Sequence, residues 1–133
     1  MTLLESVELF VAIQTLIIAL SHILQPGAWV EFFVYLRSKG HTGVFANGFL
    51  SLWFGALIVA FHSVWTWPAI VITLLGYGQV VKALIAFVAP QVSMRGFARV
   101  SQERKQEFVY AGFGMLAISA ICWYSYFSTK QLP

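Results

Sequence analysis

Hydrophobic side chains fill four long stretches of this chain, at 9–24, 44–65, 69–88 and 108–127, and polar residues gather in the gaps between them. A run of about 20 residues at about 1.5 Å rise per residue spans a hydrocarbon core of about 30 Å. The last three stretches meet that length, and the first does so when its helix begins near residue 7. The pattern predicts an all-α fold, a bundle of four transmembrane helices at about 7–24, 44–65, 69–88 and 108–127. Together they form one membrane domain over 1–133.

The connections differ in kind. Gln25-Pro26-Gly27 ends the first helix, because proline supplies no amide hydrogen and glycine resists helical order. In 28–37, Trp29, Phe32, Phe33 and Leu36 recur at i, i+3, i+4 and i+7, while Glu31, Tyr35 and Arg37 lie off that face. That spacing predicts a short amphipathic helix lying in the membrane interface. Thr66-Trp67-Pro68 alone joins spans two and three, giving a tight antiparallel hairpin with Trp65 and Trp67 at headgroup level. The third connection, 90–107, is expected to run as helix from Ser101 into the last span.

Composition strengthens this picture. The chain is 59% hydrophobic and 10% charged, with eight Lys and Arg and five Asp and Glu residues. So few charges cannot cover the surface of a soluble domain, but they suffice for short loops. Mean hydropathy is +0.79. The N-terminal flank carries Glu5 and Glu8 instead of basic residues, so the first span is expected to be retained and not cleaved as a leader. Cys122 is the one cysteine, which excludes an internal disulfide. The net charge of +3 is too scattered for nucleic-acid binding. Its placement says more. Arg37 and Lys39 lie in the first connection, and Arg95, Arg99, Arg104 and Lys105 in the third. The second connection has none, and Lys130 follows the last span. Basic loops face the cytoplasm, so both termini are expected outside a bacterial inner membrane.

Polar residues inside the spans are the candidate chemistry, because ionisable groups are costly in lipid. Glu8, Ala12, Thr15, Ala19 and His22 follow one face of span one. Gly48, Ser51, Gly55 and His62 do so in span two. In span three the expected inward face is Gly78, Gln79, Lys82 and Ala86, and in span four Ala111, Gly114 and Ile118. Small residues let helices approach closely in a bilayer. By depth, Glu8 and His62 fall near the outer surface, where they can exchange a proton. His22, Asn47 and Lys82 fall toward the cytoplasm, with Glu31 and Glu107 as partners, as a site for an anion or lipid headgroup. Each has a plainer reading: Lys82 snorkels, His62 caps its helix end, His22 satisfies carbonyls, and Gln79 is interhelical glue.

Other chemistries lack their residues. A bis-histidine haem needs facing histidines at equal depth, and His22 and His62 fall at opposite ends. No cluster supplies zinc, and no Gly-rich phosphate loop or base-activated nucleophile is present. The reading is therefore non-enzymatic, with no cofactor and no metal. Phe61-His62-Ser63-Val64-Trp65, followed by Gly76, Lys82 and Pro90, resembles a group of small uncharacterised bacterial four-helix integral membrane proteins. Tyr77 and Ala83 stand where that group has Trp and Gly. The resemblance implies the architecture and no activity. Three functions are expected from the residues: a small membrane protein that self-associates or joins a larger membrane complex; a proton-linked transporter or binder of an anionic small molecule or lipid, working as an oligomer; or, third, a membrane subunit that holds haem or quinone. Membrane lipids and either a second copy or a membrane protein are the expected partners.

Overall fold

Thr2 starts the first helix by a reciprocal cap. Its hydroxyl accepts from the Glu5 amide at 3.1 Å, and its own amide donates to the Glu5 carboxylate at 2.8 Å. The computed structural model describes residues 1–132. Its helices are α1 (Leu3–Leu24), α2 (Pro26–Ser38), α3 (His41–Phe61), α4 (Ile70–Val88), α5 (Pro90–Ala98) and α6 (Gln106–Lys130). α1, α3, α4 and α6 are long and apolar enough to cross a membrane. The fold is thus a bundle of four candidate membrane-spanning helices, with the short α2 following the first.

Proline and glycine set the corners. Pro26 and Pro90 each occupy the first turn of a short helix, where a missing amide hydrogen costs nothing. Gly40 turns the chain from α2 into α3 at φ +59°, a conformation that strains residues with a Cβ. The third connection departs from expectation. α5 occupies its first half, Ser101 is extended, a short 3-10 turn covers Gln102–Arg104, and α6 starts only at Gln106. The apolar run of α3 also stops early. His62 leaves the helix with φ −137° and ψ 103°, so 62–65 is not helical.

The spans pack as two pairs, α1 along α6 and α3 along α4, and the pairs touch each other only lightly. Glycine sets both close approaches. A Cβ on Gly55 would lie 2.8 Å from the Gly76 carbonyl oxygen on α4. On Gly112 of α6 it would lie 2.9 Å from the His22 Cβ of α1. At the end of the bundle that carries both termini, Val7, Val11, Ala12, Ile58, Ile72 and Cys122 form an apolar layer joining the pairs. At the other end, called here the loop end, Leu36, Val44, Ala86 and Phe97 tie α2 and α5 beneath α3 and α4.

The outside is apolar. Trp53 is 75% exposed, and the buried set includes Glu8, Thr15, Ser51, Thr73, Ser119 and Ser125. Polar groups inside with large apolar groups outside is the distribution that lipid favours. The inward faces of two spans differ from the sequence expectation. On α4 the buried positions are Ile72, Thr73, Gly76, Ala83 and Ala86, while Gly78 and Lys82 are exposed. On α6 they are Gly112, Ser119, Cys122, Ser125 and Tyr126, while Ala111 and Gly114 are exposed. In both helices the tighter neighbour decided which face turned inward.

Gly55→Ala is therefore expected to force α3 from α4 and lower stability by about 1–3 kcal/mol. Gly78→Ala, where a Cβ meets nothing within 4 Å, should be neutral or slightly stabilising. Denaturant unfolding of the two variants in the same detergent checks the contrast.

Candidate functional site

At the end of the bundle that carries both termini, one polar chain crosses all four spans. Ser125 Oγ on α6 donates to Glu8 Oε1 on α1 at 2.9 Å. The same Oε1 lies 3.4 Å from Nε2 of His62, which terminates α3. His62 Nδ1 lies 3.0 Å from Thr73 Oγ1 on α4. Both members of the pair are sealed: the Glu8 and His62 side chains have no solvent exposure. α3 ends at His62, whose extended backbone accompanies the contact of its ring with Glu8 on α1.

Hydrogen-bond directions fix the histidine tautomer. The Thr73 hydroxyl has one hydrogen, and it goes to the Val64 carbonyl at 2.8 Å, a group that can only accept. Its oxygen accepts from the Val64 amide at 3.2 Å. Nδ1 of His62 must then be the donor to Thr73. That leaves Nε2 facing Glu8, and a proton held between them would make the pair net neutral whether it sat on the ring or on the carboxyl. Glu8 Oε2 is the one buried side-chain polar atom among the described residues without a well-formed hydrogen bond, although the Thr129 hydroxyl on α6 lies near the same carboxyl. Leaving a buried oxygen unpaired is costly, so this atom is where a further proton, a water or a ligand group has most to gain.

Below the apolar layer, the two helix pairs separate and leave a cleft of about 600 Å³. All four spans line it, with Phe10, Trp53 and Phe54 supplying aromatic walls. Gln14 on α1 and Gln79 on α4 bring amides to it, and Thr15 a hydroxyl. The Thr15 hydroxyl is occupied, donating to the Val11 carbonyl at 2.8 Å. Gln14 and Trp53 are exposed, so the cleft opens sideways between the pairs. Phe10, Phe54 and Ile118 belong both to the cleft wall and to the apolar layer beneath Glu8.

The remaining predicted residues are placed elsewhere. His22 is buried at the opposite end of α1, its Nδ1 donating to the Ile18 carbonyl at 2.8 Å and its ring stacked on Trp29 at 4.1 Å. Lys82 is exposed on α4 and lines neither the cleft nor the cavity beside His22, so the two do not form the expected anion site. Asn47 is half-buried on α3, outside both polar groups. Gly48, Ser51 and Gly55 are buried within the chain. Gly48 lies against Ala86 and Phe87, and Gly55 against Gly76, so this face is already filled by α4. Ala12, Thr15 and Ala19 are likewise buried on α1. Two members of the site, Thr73 and Ser125, escaped the sequence reading. Their signal was present: Gly112, Ser119, Cys122 and Ser125 keep one face of α6, and Thr73 precedes Gly76 by one helical turn.

Among the described residues no three His, Cys, Asp or Glu side chains gather as metal ligands would. No protein-family model, curated protein or solved structure matches the chain. Function is therefore read from these side chains themselves. Thr73→Val should free Nδ1–H of His62 and both Val64 backbone groups, costing about 1–3 kcal/mol. Lys82→Met should leave stability unchanged. Unfolding midpoints measured together in detergent check both.

Proposed function

We propose that this chain is a small proton-linked membrane carrier or binder of a molecule soluble in the bilayer. One observation carries the reading: Glu8 and His62 meet fully buried at 3.4 Å, close enough to share a proton, and Glu8 Oε2 is left without a hydrogen bond. A pair built only to hold helices together gains from having every atom satisfied, since partly satisfied buried networks are poor glue. A pair that gains and loses a proton must leave one position open in one of its states. The cleft supplies the substrate space, and its amides on α1 and α4 favour a neutral or amphipathic occupant with a hydrogen-bonding group. An anion would find no cation there, because Lys82 lies elsewhere.

The coupling runs through the apolar layer. Phe10 and Phe54, whose rings are 5.8 Å apart, touch it from below and line the top of the cleft. Loss or gain of the shared proton changes how tightly α1 and α3 are drawn together, and the separation of those helices sets the width of the cleft. In the membrane the basic connections face the cytoplasm of a bacterial inner membrane and both termini face outward, so the proton pair lies at the outer end. Four spans enclose little volume, and the carrier works as an oligomer.

Self-association or service as a subunit of a larger complex is the second reading. Gly78 and Gly114 favour it, because they are exposed on outer faces where a Cβ meets nothing within 4 Å.

The test uses proteoliposomes and a variant retaining only Trp53 among its tryptophans. Across a pH titration the infrared spectrum should show the band of a protonated carboxyl appear and vanish by about one proton per chain. Quenching of Trp53 by brominated lipid should change in step. Glu8→Gln keeps a donor toward Nε2 and should fold, yet abolish both responses. A Glu8→Gln protein with the wild-type pH response, or a wild-type protein with none, rejects the proton-linked reading.

A further inference from the structure

At the loop end a second cavity, of about 430 Å³, is built from α1, α2, the α5–α6 connection and α6. Its construction is specific. The Arg37 guanidinium on α2 donates to the carbonyls of Phe97, Ala98 and Val100 at 3.1, 3.3 and 3.3 Å. This one side chain caps the end of α5 and fixes the backbone on both sides of Arg99. Phe33 and Phe108 are stacked at 5.7 Å, with the Phe33 ring also 5.5 Å from Phe97, and they form an apolar wall. His22 is held between Trp29 and Phe108, at 4.1 and 5.7 Å. Because its Nδ1 donates to the Ile18 carbonyl, Nε2 is the nitrogen without a protein partner.

Arg99 and Arg104 bring two guanidinium groups to this cavity. Neither is consumed. Arg99 makes no ion pair among the described residues, and Arg104 lies 3.9 Å from Glu107 with both side chains more than half exposed, an arrangement that contributes little. Glu107 also lines the cavity and offsets one charge. Arg95 and Lys105 on the same connection keep the local balance positive. Fork-shaped guanidinium groups at a membrane surface, above an aromatic floor, match the planar oxygen pairs of a phosphate and the apolar start of a lipid.

We propose that this cavity binds a phosphate group at the loop-side surface, with Arg99 and Arg104 on the phosphate oxygens and His22 Nε2 beside them. The site is separate from the Glu8–His62 pair, at the other end of α1, and stands or falls independently of it. The phosphate belongs to a lipid headgroup or to a small soluble anion, and the chemistry at the arginines is shared.

Native mass spectrometry of the intact protein released from nanodiscs separates these sources. In one arm the bilayer contains phosphatidylglycerol, in the other only phosphatidylcholine with inorganic phosphate added. Retained phosphatidylglycerol, reduced at least about tenfold in Arg99→Gln/Arg104→Gln and unchanged in Arg95→Gln, establishes the lipid source. Retained phosphate with the same variant pattern establishes the soluble one. Arg99→Lys/Arg104→Lys should restore part of the binding, which a folding defect would not. Absence of both ligands, or equal retention by the Gln double variant, overturns the proposal. Circular dichroism of each variant confirms that the helices are intact.

Discussion

A buried carboxyl group that is tied to two other helices directly, and through His62 to a third, is the constraint around which this bundle is arranged. Lipid offers no hydrogen bonds, so polar atoms in the membrane must be satisfied by protein. Glu8 satisfies one oxygen with Ser125 and His62, and His62 passes the connection to Thr73. That chain joins α1 and α6 to α3 and α4 at one end. Elsewhere the two helix pairs are held mainly by the short helices at the loop end. A light junction in the middle follows from heavy ones at both ends, and the cleft occupies the space left between.

The same economy explains the glycines. In lipid the apolar drive that packs a soluble core is absent, so helices associate through close approach and hydrogen bonds. Gly55 and Gly76 on the α3–α4 face, and Gly112 on the α1–α6 face, make each pair tight. Tight pairs are rigid. What remains adjustable is the relation between pairs, and there the structure places its only uncompensated buried side-chain oxygen among the described residues.

Much of this was legible in the sequence, and the limits have physical causes. Span number and the α2 helix followed from apolar length and from the Trp29, Phe32, Phe33 and Leu36 spacing. The inward faces of α1 and α3 followed from stripes that contain a titratable group, since lipid exposure of Glu8 or His62 is prohibitive. On α4 and α6 that guide was weak. Lys82 suggested an inward face, yet a lysine near a helix end reaches headgroups along its own stem, so its position constrains little. The face that turned inward carries Thr73 and Gly76, whose value lies in a single hydroxyl and a missing methyl. The break at His62 was hidden as well, because Ser63, Val64 and Trp65 continue the apolar run while the backbone turns away to reach Thr73.

The sideways opening of the cleft changes what affinity means for it. In a bilayer, acyl chains as apolar as its aromatic walls would fill it in the absence of any other guest. A newcomer gains almost nothing by exchanging one hydrocarbon neighbour for another. For the carrier proposed above, discrimination would then fall on the amides of Gln14 and Gln79, whose hydrogen bonds a lipid tail cannot make and a molecule with a carbonyl or hydroxyl can. For such a guest the relevant concentration would be that within the bilayer, with occupancy set by moles of guest per mole of lipid, whatever the volume of water outside.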